Sequence, residues 1–118
     1  MATKEEVDQF LKDFFVKYKI FDILFRDSRP KNADTLLALD ITPIKRREII
    51  ENLKTADFSE GPLSDTLYGI ASMWVFGKKI KGAEIYIKIS IGALNSSVLC
   101  ISFHTSESPM NYPYKKVK

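Results

Sequence analysis

The sequence predicts an α+β fold, with helices gathered in the first half of the chain and an antiparallel sheet in the second. Three observations carry that expectation. Apolar residues recur at three-and-four spacing near the N-terminus, they alternate with period two from Met73 to His104, and Pro, Gly and Asn residues punctuate the segments where the period changes. With 118 residues, 45% of them hydrophobic, the chain can build one core, so residues 1–118 are read as a single domain with an extended tail over 105–118.

Residues 4–19 form the first expected helix, because Val7, Phe10, Leu11, Phe14, Phe15 and Tyr18 fall on one face and Thr3 with Glu6 makes a capping box. The run Ile20–Phe25 is rich in β-formers and short for a helix, which predicts a strand ending in the polar turn 26–31. A short helix over 32–39, capped near Asn32, should turn Leu36, Leu37 and Leu39 inward. Thr42 as N-cap and Pro43 at the first helical position start another helix, whose apolar side is Ile44, Ile49, Ile50 and Leu53 and whose wet side is Lys45-Arg46-Arg47. The segment 57–63, with Gly61-Pro62, breaks it, and residues 63–72 read as an irregular connection. Met73–Lys79, Glu84–Ile91 and Ser97–His104 are then three strands of an antiparallel meander, joined around Lys81-Gly82 and through 92–96. The tail, with Pro109 and Pro113, is a loop that could fold back on the sheet through Tyr112 and Tyr114.

Charge and composition exclude several function classes. Residues 1–59 hold 11 Lys/Arg and 11 Asp/Glu, whereas residues 60–118 hold 7 Lys and 4 acids, so the net charge of +3 lies in the second half and fits either a solvated lysine-rich surface or an anionic partner there. No apolar run is long enough to span a bilayer and the N-terminus lacks the pattern of a signal peptide, so no membrane association and a cytoplasmic location are expected. A single cysteine, Cys100, and a single histidine, His104, cannot form an intrachain disulfide or a Cys/His zinc cluster. No metal and no cofactor are expected. Gly77-Lys78-Lys79-Ile80-Lys81-Gly82 is a basic hairpin rather than a phosphate-binding loop.

Strand alternation points to a functional face. On the middle strand of the meander Ile85, Ile87, Ile89 and Ile91 must share the core side and Glu84, Tyr86, Lys88 and Ser90 the other. Matching Leu99, Ile101 and Phe103 to the core leaves Val98, Cys100, Ser102 and His104 beside Tyr86 and Lys88. If Trp74, Phe76 and Lys78 follow the same parity, aromatic and basic groups interleave there, as single-stranded RNA binding requires. RNA cleavage without a metal needs a base for the 2′-hydroxyl, an acid for the leaving 5′-oxygen and a cation for the phosphorane charge. His104 is the candidate for proton transfer, with Tyr86 and Lys88 beside it. A Cys100/His104 dyad is excluded, because four residues along one strand separate them by roughly 13 Å at ~3.3 Å per residue.

The element order, together with Ala56-Asp57-Phe58, Ile85-Tyr86-Ile87-Lys88-Ile89 and Cys100-Ile101-Ser102-Phe103-His104, resembles the MqsR toxins of bacterial type II toxin–antitoxin systems, within the RelE-like group of mRNA interferases. The resemblance covers most of residues 7–105. It implies a RelE-like sheet packed on helices, metal-independent cleavage of single-stranded mRNA and neutralisation by a cognate antitoxin protein. Tyr86 matches the family's tyrosine, and His104 falls where the family has a lysine. Glu60 falls near another family lysine, and Met73 meets the position of its catalytic glutamine. The resemblance therefore leaves two readings: a ribonuclease whose cationic set is rebuilt from Arg26, Arg29, Lys31, Lys78 and His104, or a catalytically inactive RNA- or protein-binding module of the same fold. In the first, His104, Tyr86 and Lys88 are catalytic, and Arg26, Arg29, Lys31, Trp74, Phe76 and Lys78 bind RNA.

Overall fold

The computed structural model describes residues 1–64 and 71–115. Three α-helices, α1 (Lys4–Phe21), α2 (Pro30–Ala38) and α3 (Pro43–Glu51), accompany five strands, β1 (Ile23–Phe25), β2 (Phe58–Leu63), β3 (Met73–Ile80), β4 (Ala83–Ser90) and β5 (Val98–Thr105). The strands make one mixed sheet in the order β1-β5-β4-β3-β2, parallel only between β1 and β5. The α+β class holds, and the sheet has five strands rather than the three of the meander alone. Part of the irregular connection expected over 63–72 lies outside the described residues.

At α1 the Thr3 hydroxyl accepts from the Glu6 amide at 3.2 Å and the Glu6 carboxylate accepts from the Thr3 amide at 2.9 Å, which satisfies two of the helix's orphan donors. The expected strand over Ile20–Phe25 is corrected at its start. The helix runs on through Phe21, because Asp22 still donates its amide to the Tyr18 carbonyl before its positive φ of 67° ends the helix. Only Ile23–Phe25 pair as a strand.

Helix α2 departs from the predicted inward face. Its inward stripe is buried at Asn32 and Thr35 and half-buried at Leu36 and Leu39, while Leu37 is 85% exposed. Polar groups sit in that stripe because β1 stops short and leaves the second half of β5 without a neighbouring strand. Asn32 Nδ2 donates to the Ile101 carbonyl at 3.1 Å, its Oδ1 accepts from the Phe103 amide at 3.0 Å, and the Thr35 hydroxyl accepts from the Thr105 amide at 3.0 Å. Side chains of α2 thus replace a missing strand and close a sheet edge. In α3 the stripe is Arg46, Ile49, Ile50 and Leu53, so Ile44 is exposed and Arg46, expected on the wet side, is 6% exposed. Its guanidinium lies 3.6 Å from the Phe25 ring centroid and forks onto the Asp27 carboxylate at 2.6 and 3.2 Å.

Strand β2 was not expected, since Gly61-Pro62 reads as a break. It is an edge strand, where a missing amide hydrogen is tolerated, and its ladder with β3 shifts register twice, on either side of Glu60. The core lies between α1, α3 and one sheet face, around Phe10, Phe14, Ile50, Phe58, Phe76, Ile85, Ile87, Ile89 and Phe103.

A bulge in β5 overturns part of the expected parity. Phe103 pairs with Ile87 and Ser102 with Lys88, but Ile89 then pairs with Cys100, leaving Ile101 as the extra residue. Beyond it every side chain changes face. Val98 and Cys100 join the helix-side core in place of Leu99 and Ile101, while Phe103, Ser102 and His104 lie where alternation put them.

Candidate active site

The sheet face away from the helices carries Tyr86 and Lys88 from β4. Tyr86 lies opposite His104 on β5 and Gly77 on β3; Lys88 lies opposite Ser102 and Val75, and Val75 opposite Glu60 on β2. Two adjacent rows therefore cross the sheet, one running Glu60, Val75, Lys88, Ser102 and the other Gly77, Tyr86, His104. The Tyr86 and His104 rings stack, with centroids 5.2 Å apart and planes at 15°. Lys88 Nζ stands 5.7 Å from the Tyr86 ring centroid. From the N-cap of α2, Arg29 reaches in and donates to Ser102 Oγ at 3.1 Å and to the Ile101 carbonyl at 3.3 Å.

The tautomer of His104 follows from its neighbour. Nδ1 lies 3.0 Å from the Thr105 carbonyl, which can only accept, so Nδ1 carries hydrogen and Nε2 is left to exchange a proton. Burial raises the Tyr86 phenol above its ordinary range; the Glu60 charge adds to that shift and the Arg29 charge opposes it. Tyr86 is thus a hydrogen-bond donor at neutral pH. Burial lowers the Lys88 ammonium, Arg29 lowers it further and Glu60 works the other way. These mutual effects place Arg29, Glu60, Tyr86 and Lys88 in one electrostatic neighbourhood.

No protein family, curated protein or solved structure matches this chain.

Of the residues singled out in the sequence, the structure brings Tyr86, Lys88, His104 and Arg29 together. Lys31 flanks them: it pairs with Glu107, and both line a shallow recess of about 400 Å³ beside His104. Arg26 is half-buried after β1, where its amide donates to the Cys100 carbonyl at 3.0 Å and extends the parallel ladder.

Trp74, Phe76 and Lys78 are on the wrong face for this role. They lie opposite Ile89, Ile87 and Ile85, so they share the helix side. Phe76 is fully buried, Trp74 stacks on Phe10 with centroids 4.5 Å apart, and Lys78 is paired to Asp57 at 2.9 Å. The cause is the two-residue turn Lys81-Gly82, with both φ values positive, which sets Ile80 opposite Ala83 and hence even positions of β3 opposite odd positions of β4. Counting that turn is the signal that could have fixed the parity. Met73 lies opposite Ser90 on the site's face of the sheet.

Cys100 is fully buried on the helix side, its thiol pushed up to about 12 by burial, and His104 is on the other side. The structure therefore separates the two more firmly than strand length alone. Two neighbours of the site came from outside the strand argument. Glu60 stood only as a departure from the family pattern, and Tyr112 only as part of the tail. Tyr112 donates to Glu84 at 2.6 Å, and its hydroxyl sits where a Cβ on Gly77 would lie, so only glycine at 77 lets the tail close on this edge of the face. Burial, and then Glu84, raise the Tyr112 phenol, which keeps it in the donating form.

Proposed function

We propose that this chain is an mRNA interferase, an endoribonuclease toxin that cleaves single-stranded RNA without a metal and is blocked by a cognate antitoxin protein bound over the same face. The observation that carries the reading is the stacked Tyr86–His104 pair with Lys88 and Arg29 at its side. His104 Nε2 supplies proton transfer, the Tyr86 hydroxyl positions the scissile phosphate, and Lys88 and Arg29 stabilise the charge that grows on its oxygens. Lys78, with its Asp57 partner on the helix side, is left out of that set. The resemblance of the Tyr86 segment to MqsR toxins supports the role given to Tyr86, while His104 stands where those toxins have a lysine.

Expression in a bacterial host tests it. The wild-type chain should arrest growth and the purified protein should cut single-stranded RNA, with both effects lost in His104→Ala. RNA binding without cleavage would make this a binding module, and absence of arrest, cleavage and binding would remove RNA as the substrate.

A further inference from the structure

On the helix side of the sheet a groove of about 450 Å³ opens between α1 and the ends of β2 and β3, lined by Glu6, Gln9, Phe10, Asp13, Pro62 and Trp74. We propose that it binds a linear polyamine of the spermidine class, with one terminal ammonium at Glu6, the other at Asp13 and the alkyl chain laid over Trp74.

The floor of the groove is aromatic and fixed. Trp74 is half-buried; its ring stacks on Phe10 with planes at 13° and lies 6.0 Å from the Phe58 ring centroid. A tryptophan face is the best aromatic partner for an ammonium, and the same face covers methylenes.

The rim is anionic and lacks a counter-charge. Neither Glu6 nor Asp13 takes part in an ion pair among the described residues. The Thr3 amide donates to one oxygen of Glu6 and holds its carboxyl below the ordinary range, so the group is ionised at neutral pH. Lys17 stands four residues beyond Asp13, the spacing at which helical ion pairs form, yet its ammonium donates to the Ile91 and Ala93 carbonyls at 2.6 and 2.5 Å. Asp13 is left with the Gln9 amide at 2.9 Å. Two such carboxylates beside an aromatic floor select a cationic ligand and repel a phosphate.

Spacing narrows the class of cation. Asp13 follows Glu6 by two turns on the same face of α1, which sets them ~10 Å apart along the helix axis. That is too far for one metal ion or monoamine to bridge, and it is about the reach of an extended spermidine between its terminal nitrogens. Gln9 lies between the two carboxylates. With its Nε2 donated to Asp13, its Oε1 remains to accept from the central ammonium. Trp74 faces away from the side of the sheet that carries Tyr86 and Lys88, so the proposal does not depend on the ribonuclease reading.

Trp74 is the only tryptophan, so its fluorescence reports occupancy of the groove. The full-length protein is titrated with spermidine and, at equal ionic strength, with putrescine, butylamine, magnesium chloride and a tri-lysine peptide. Spermidine should give a saturable change in Trp74 emission, and putrescine, too short to reach both carboxylates, should bind about tenfold or more weakly. Glu6→Gln keeps the cap of α1, because glutamine also serves at that position, and Asp13→Asn keeps an acceptor for Gln9. The double variant should bind spermidine about tenfold or more weakly with an unchanged circular dichroism spectrum. If it unfolds, each single variant decides, with an expected loss of about threefold or more. Glu48→Gln on α3, outside the groove, should bind as wild type does. The proposal is overturned by the absence of a saturable response to spermidine, by equal responses to butylamine or magnesium, or by putrescine binding as tightly as spermidine. Wild-type affinity in the folded carboxamide variants would also overturn it. So would tighter binding of the lysine peptide, which would make the groove a docking site for a basic protein segment.

Discussion

On the helix side of the sheet Ile85, Ile87 and Ile89 are fully buried in one core with Phe10, Phe14 and Phe76, whereas on the other side Tyr86, Lys88 and His104 remain partly exposed between Glu60 and Arg29. Both sets of β4 residues come from a single strand, so one residue of register separates packing from chemistry. In β5 the distinction is held by the bulge at Ile101. Without that extra residue, Cys100 and Val98 would sit on the site's face, or Ser102 and His104 would turn into the core. The bulge therefore lets one strand bury an apolar first half and present polar groups from its second half on the opposite face.

Adjacent residues give the sharpest test of that division. Phe103→Ala empties a fully buried position and should cost about 3–5 kcal/mol in denaturant unfolding, while His104→Ala should change stability by less than about 1 kcal/mol yet remove RNA cleavage. A large stability loss in His104→Ala would break the comparison. Next in size is an alkaline effect at Cys100. Its folded-state value of about 12 lies above the usual thiol value of 9, so the neutral thiol favours the folded state below pH 9 and this advantage is lost as pH rises towards 12. Wild type should therefore lose roughly 4 kcal/mol relative to Cys100→Ala between pH 9 and 12, with RNA cleavage at neutral pH equal in the two proteins. A dead but folded Cys100→Ala would return the thiol to the mechanism.

Smaller effects probe the supports. Asn32→Ala leaves the Phe103 amide without its side-chain partner and the Ile101 carbonyl with Arg29 alone, and should cost about 1–3 kcal/mol by thermal or denaturant unfolding. An unchanged stability would mean that water replaces the amide and that α2 is not needed to close the β5 edge. Thr3→Ala, which removes the N-cap of α1, should cost about 1 kcal/mol and leave cleavage untouched.

What was readable along the chain was local. The Thr3/Glu6 box, Thr42-Pro43 and the alternation of β4 each depend on residues within a few positions, and each forms as expected. The misread positions depend on partners distant in sequence. Leu37 and Ile44 look like core residues until α2 must supply hydrogen bonds to β5 and α3 must bring Arg46 to Asp27 and Phe25. Gly61-Pro62 looks like a break until β2 is found at an edge. For the site, Tyr86, Lys88 and His104 could be grouped from alternation because the bulge lies beyond Ser102, whereas placing Trp74, Phe76 and Lys78 takes the length of the Lys81-Gly82 turn as well as alternation.

By itself the sequence determined the α+β class, the caps, the isoleucine face of β4 and the inventory of one histidine, one thiol and a lysine-rich second half, since these follow from composition and short-range periodicity. Tertiary structure alone decided that β2 joins the sheet, that Cys100 and His104 lie on opposite faces, and that Glu60 and Arg29 arrive beside Tyr86. Strand register and edge pairing are fixed by hydrogen bonds between segments far apart in the chain, and one residue of shift moves every side chain to the other face.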